Sequence, residues 1–257
     1  MPTNPKSDLK APLQFDGSLT VGETITLGEA HMNQLAFREV NVKEAFTVLS
    51  HDGTFFRASL KSASPTGGSA VVYERMSGST ESPARITLVC AVLGRQRMIT
   101  VVQKATELGC VRVVPVLSEH SVQPADLEKE KPWAWAGQAI KACRQCRRAS
   151  VPEVLRELPL REALGASYWK GASARFSMDD RQDRRREDPF ASVASPGDFV
   201  LAVGPEGGWS DAERALLEKV GARPLALGAR IMRAETAVFA GLAILQHRLG
   251  DLRSTSA

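Results

Sequence analysis

The sequence predicts an α/β protein in which a small β-rich N-terminal domain precedes a larger domain built on a mostly parallel sheet. Three observations carry this. Short β-rich runs separated by turn residues fill the first third. After a polar, breaker-rich stretch, Ser77–Pro83, strand-like runs alternate with helical periodicities. Two of the later strands stop abruptly at glycine-bearing, charged loops, which is where α/β proteins place ligands.

Residues 1–12 read as a mobile tail, rich in proline and polar residues. Residues 13–80 form the expected small barrel. Its strands are Thr24–Leu27, Phe46–Leu49, Thr54–Leu60 and Ala70–Tyr73, and its turns fall at Asp16-Gly17, His51-Asp-Gly53 and Pro65-Thr-Gly-Gly68. Residues 84–252 form the α/β domain. It opens with a strand over Arg85–Val92, followed by a helix on which Met98, Val101, Val102, Ala105 and Leu108 recur at helical spacing up to Gly109. Val111–Val116 is the next strand, Trp133 to about Arg147 the next helix, and Ala174–Met178 a further strand. The mixed-sign charge run Asp179–Asp188 reads as a solvated loop.

The two glycine-bearing loops deserve closer reading. Phe199–Val203 is long enough for one buried strand and ends in Gly204-Pro-Glu-Gly-Gly208. Ser210 precedes Glu213 by three residues, the capping-box spacing, so a helix should start at once. Leu225–Leu227 reads as a second short strand broken at Gly228. Arg230, Arg233 and Glu235 follow, and then a helix starts at Glu235 or Thr236, with Val238, Leu242 and Leu245 on one face. Either loop alone is readable as a plain tight turn. Together, with charges in both, they predict one bipartite pocket.

Bulk properties narrow the class. The chain has 257 residues, 43% hydrophobic and 24% charged, ordinary values for a globular protein. A net charge of +4 and a pI near 9.0 are compatible with a polyanionic partner without identifying one. No apolar run approaches the length of a membrane span, and the N-terminus lacks a secretory signal's apolar core, so a cytoplasmic location is expected. Four cysteines suggest no disulfide framework; Cys143-x-x-Cys146 lies inside an expected helix, the four histidines lack ligand spacing, and no metal is expected. Neither a G-x-G nor a P-loop occurs, which excludes the common glycine fingerprints for dinucleotides and nucleotide phosphates.

Gly204-Pro-Glu-Gly-Gly-Trp-Ser210, followed by Leu227-Gly-x-Arg-Ile-x-Arg-x-Glu-Thr-Ala237, resembles the ribosomal RNA small subunit methyltransferase E family of the SPOUT superfamily. Gln103–Gly109, Ser118–Val122, Gln145, Arg148 and Val151–Val154 follow the family's order, so the matched motifs span roughly residues 95–252, while the N-terminal third matches weakly. The resemblance implies a PUA-like N-terminal β-barrel and a C-terminal α/β domain threaded through a trefoil knot, a rare exception to unknotted topology. It also implies a homodimer formed through the C-terminal domain, with 16S rRNA or the small ribosomal subunit as partner. The implied activity is methylation of uridine N3 in the decoding region of 16S rRNA with S-adenosylmethionine. Another RNA target (tRNA or 23S rRNA) and a non-catalytic ribosome-assembly protein of this fold are the alternatives.

By the same resemblance the cofactor pocket falls to Val203, Gly204, Pro205, Glu206, Gly207, Gly208, Leu227, Gly228, Ile231, Met232, Arg233 and Thr236. Uracil N3 bears a proton, so the reaction needs either a base or stabilisation of the developing anion on the flanking carbonyls. Arg230 and Arg233 suit the second task, and Glu206 or Glu235 the first. Either carboxylate has a structural alternative: Glu206 bonded within its own loop, Glu235 capping a helix or paired with Arg233. Arg38, Arg95, Arg97, Lys104, Gln145 and Arg148 are candidate RNA contacts, with a solvated surface as the alternative for Lys104, Gln145 and Arg148. The sequence departs from the family pattern at Asn41–Glu44, His120, Arg144, Cys146 and Arg147, outside the expected cofactor loops, which bears on the RNA target rather than on the cofactor.

Overall fold

A computed structural model describes residues 5–178 and 188–252. The charge run expected as a solvated loop lies, except for Asp188, outside the described residues. The chain divides into two compact units, residues 1–81 with 140–151 and residues 82–139 with 152–257. The first change of unit falls within the polar stretch Ser77–Pro83. The return of residues 140–151 to the first unit departs from the contiguous 84–252 domain expected above, and no change of composition marks it.

In the first unit, α1 (Pro5–Lys10), β1 (Leu13–Gln14), β2 (Thr24–Gly28), α2 (Glu29–Phe37), β3 (Ala45–Leu49), β4 (Phe55–Ser64) and β5 (Gly67–Arg75) follow in order. The sheet runs β1-β3-β4-β5-β2, antiparallel except for β1 beside β3, and its curled five strands fit a barrel-like domain. Its core gathers Leu13, Ile25, Leu27, Leu35, Val48, Leu60 and Val72.

Two helices here correct the sequence reading. Residues 5–10, expected in a mobile tail, are helical and held: Gln34 donates to the Asp8 carbonyl (2.6 Å) and Val151 N–H to the Lys10 carbonyl (2.9 Å). The helix α2 buries only Met32 and Leu35, too narrow a stripe to stand out as periodicity.

The second unit contains β6 (Ala84–Ala91), α3 (Arg95–Glu107) and β7 (Arg112–Leu117), then α4 (Trp135–Cys146), the helix at whose Ala139 the division between units falls. It continues through β8 (Glu153–Val154), β9 (Leu158–Pro159), α5 (Leu160–Gly165), α6 (Ser167–Lys170) and β10 (Ala174–Met178). The last elements are β11 (Gly197–Val203), α7 (Asp211–Lys219), β12 (Ala222–Leu225) and α8 (Ala234–Leu249). Every pairing in its sheet is parallel, in the order β12-β10-β11-β6-β7-β8, with β9 also on β7.

A parallel sheet must be covered on both faces, and β6 shows how. Ala84, Ile86, Leu88 and Cys90 pack with Met98, Val101, Val102 and Ala105 of α3 and with Val238, Leu242 and Leu245 of α8. Val89 and Ala91 point the other way, into a layer with Leu160, Leu164, Trp169 and Leu217. The strand expected over Leu225–Leu227 is instead Ala222–Leu225. Among the described residues it pairs only with β10, and at such an edge Pro224, which lacks an N–H, is tolerated.

Candidate active site

The site is built at the carboxyl ends of β10, β11 and β12, three neighbouring parallel strands. After Val203 the chain turns through Gly204–Gly208, and Ser210 caps α7. Its hydroxyl accepts from the Glu213 N–H (3.4 Å) while its own N–H donates to Glu213 Oε2 (3.0 Å), the reciprocal box the spacing predicts. Gly208 has φ of +72°, a backbone conformation that favours glycine.

The turn is braced from the loop after β7. Glu119 N–H donates to Glu213 Oε1 (2.9 Å), and His120 Nδ1 lies 3.2 Å from the Gly208 carbonyl oxygen. His120, one of the departures from the family pattern, therefore supports the glycine turn directly.

The second loop leaves β12 at Leu225, passes Gly228 at φ +99°, and enters α8 through the extended backbone of Arg233. The two loops meet around one cavity of about 250 Å³. Residues 203–208, Leu227, Gly228, Arg230, Ile231 and Met232 line it, bringing together most of the expected pocket. Arg233 and Thr236 do not line it; both are exposed at the start of α8. Met178, Trp209, Arg214, Ala234 and Ala237 line it in addition. Trp209 lay inside the recognised motif, and Arg214, four residues past the Ser210 cap, was within reach of a helical-wheel argument. Met178 had no local signal, because strand order brings it there.

The charged candidates divide. Glu206 is ion-paired with Arg97 at the start of α3, both side chains about half exposed, and not bonded within its own loop as one alternative held. Arg97, expected near phosphate, is therefore already engaged. Glu235 does not line the cavity; its Oε2 is buried without a hydrogen-bond partner, and no ion pair joins it to Arg233 among the described residues. Arg230 is exposed at the cavity mouth, beside Ile231, whose 87% exposure is the largest of any large hydrophobic residue described.

Two expected RNA contacts are corrected by burial. Arg38 is 6% exposed, donating to the Ala149 carbonyl (2.7 Å) and to that of Ala11, and burial pulls its guanidinium below its ordinary pKa. Arg148 is also 6% exposed and grips Glu81 with Nη2 (2.6 Å) and Nε (3.2 Å). Both guanidinium groups are spent inside the first unit, leaving no open face for a phosphate. Arg95 and Gln145 are exposed, and Lys104 is exposed but paired with Glu107 at 2.8 Å.

Comparison with known proteins agrees with this geometry. Residues 80–246 match the family model for the RNA methyltransferase domain. The chain is 28% identical over 221 residues to ribosomal RNA small subunit methyltransferase E of Synechocystis sp., covering 86% of this chain and 71% of that protein. It is 27% identical over 235 residues to the enzyme of the same name from Aquifex aeolicus, covering 88% and 95%. The crystal structure of ribosomal RNA small subunit methyltransferase E from Neisseria gonorrhoeae, bound to S-adenosyl methionine, superposes with a TM-score of 0.66. That pair is 30% identical over 94% of this chain and 99% of the other. The two apposed loops thus belong to a shared scaffold, and the chain is a member of the RNA methyltransferase domain family and, within it, of the ribosomal RNA small subunit methyltransferase E family of the SPOUT superfamily.

Proposed function

We propose that this protein methylates N3 of one uridine in the decoding region of 16S rRNA, using S-adenosylmethionine. The observation that carries the reading is the meeting of residues 203–208 and 227–232 around one cavity at adjacent strand ends. The residues present fit such a donor. Val203, Leu227, Met178, Ala234 and Ala237 offer apolar walls to a nucleoside, and the lining glycines, having no side chains, let it approach the backbone closely. Gly228 has open space where a side chain would project. Bound there, S-adenosylmethionine supplies a methyl group on an already activated sulfonium, so the leaving group needs no metal or acid.

The chain's own task is then orientation, which contributes up to ~7–11 kcal/mol in favourable cases, and handling of the N3 proton. With Glu206 held by Arg97, the reading assigns Arg230 at the mouth to steady the negative charge that spreads onto the uracil carbonyls. Arg233 sits between two lining residues, Met232 and Ala234, and is assigned the same task from the rim. Glu235 remains the candidate base, in the first turn of α8 beside the lining residue Ala234 and with its Oε2 lacking a hydrogen-bond partner among the described residues. Arg95, Lys104 and Gln145 are assigned to RNA binding. A knotted chain, a PUA-like first domain, a homodimer and a cytoplasmic location belong to the same reading. No helix among the described residues is long and apolar enough to cross a membrane.

Position-resolved mapping of rRNA from a strain lacking the gene tests the proposal. Loss of a single N3-methyluridine from 16S rRNA, restored by the wild-type gene but not by Arg233→Ala, is expected. An unchanged 16S pattern overturns it. A lost modification in 23S rRNA or tRNA would transfer the activity to that RNA.

A further inference from the structure

Arg214 is a cation of the cavity without a counter-ion of comparable burial. It lies in the first turn of α7, its N–H donating to the Ser210 carbonyl (2.9 Å), so the capping box fixes where its side chain departs. The side chain is 25% exposed and lines the cavity. It reaches back toward the glycine turn, where a Cβ built on Gly208 would stand 3.7 Å from its Nη1. Among the described residues no guanidinium nitrogen of Arg214 makes a hydrogen bond, and Nε is buried without one. Its one ion-pair contact among the described residues is 3.6 Å from Nε to Asp211, a carboxylate wholly in solvent. Such a contact contributes little.

The cavity's charges sharpen the point. Among the described residues Glu206 is the one acidic residue lining it and is committed to Arg97, while Arg214 and Arg230 are both cationic. A sulfonium amino-acid donor brings two positive centres, the sulfonium and the ammonium, and one negative centre, the carboxylate. Entry into a cavity holding two guanidinium groups is repulsive unless the carboxylate lies against one of them. Arg230 is exposed at the mouth, open to an incoming polyanion, whereas Arg214 is three-quarters covered and lines the cavity. The planar guanidinium fork matches a carboxylate's two oxygens. We propose that Arg214 binds the α-carboxylate of the methyl donor. This rests on the S-adenosylmethionine reading above and adds a residue-level assignment to it.

Calorimetric titration of the full chain with S-adenosylmethionine and with its decarboxylated analogue tests the assignment, since the two ligands differ only in the carboxylate. Wild-type protein should prefer the intact donor by about tenfold or more, the range for a hydrogen bond to a charged group. Arg214→Met should weaken the intact donor by a similar factor without weakening the analogue, and Arg214→Lys should recover part of the loss. Equal weakening of both ligands would show a structural role and overturn the assignment. Unchanged donor affinity with weakened RNA binding would reassign Arg214 to a phosphate. If Arg214→Met fails to fold, Arg214→Lys and the wild-type preference still decide, since a wild-type protein indifferent to the carboxylate refutes the assignment. Wild-type protein that binds neither ligand overturns the donor reading itself.

Discussion

Burial pushes the Cys90 thiol up to about 12, and the Cys143 thiol to about 12 as well, the latter against a partial offset from Arg148. Both folded values lie above the ordinary 9.0, so the stabilisation from keeping these thiols protonated is fully present below pH 9. It is lost as pH rises toward 12, because the unfolded chain releases those protons first. Denaturation midpoints should fall across that window, and Cys90→Ala should fall less steeply than wild type, whatever its stability at neutral pH. Parallel slopes would contradict the assignment. The cysteines, Arg38 and Arg148 teach one lesson. Residue type announces that a side chain is nucleophilic or basic, but exposure decides what it does, and exposure is set by segments distant in sequence. Arg148 faces Glu81, 67 positions away, and no local pattern points to that pair.

At the scale of elements, those with wide apolar stripes or long apolar runs were legible: α3 and α8 from helical spacing, β6 and β11 from continuous hydrophobicity. The helix α2, with two buried residues, was not, and β12 lies two or three residues before the expected Leu225–Leu227, its start at Ala222 carrying no apolar run of its own. The helix α8 also contains a polar clamp hidden in its apolar face. Gln246 is fully buried, accepting from the Ser82 hydroxyl (2.6 Å) and donating to the Leu108 carbonyl at the end of α3 (2.9 Å). Gln246→Ala removes both bonds, leaving the half-buried Leu108 carbonyl without this donor while the Ser82 hydroxyl still accepts from the Ala84 N–H, an expected cost of about 2 kcal/mol. Urea unfolding measures it, and a loss below about 0.5 kcal/mol would mean that water replaces the amide.

For the molecule as a whole, the net charge of +4 is modest, so RNA affinity must depend on which basic groups face solvent. Arg95, Lys104, Arg230 and Arg233 are exposed, whereas Arg38, Arg97 and Arg148 are engaged in internal contacts. Four phosphate contacts to single-stranded RNA imply a log–log salt slope of about −3, roughly a fifty-fold loss of affinity between 50 and 200 mM salt. Filter binding across that range should show it, and a flat response would exclude these residues as the grip. The sequence by itself determined the fold class, the family and the two loops, because turn chemistry, strand runs and the capping box are local properties. Only the tertiary structure decided which side chains line the cavity that the two loops share, that Glu206 belongs to Arg97, and that Arg214 joins the lining. Those facts depend on strand order and on helix packing, which bring residues far apart along the chain to within contact distance.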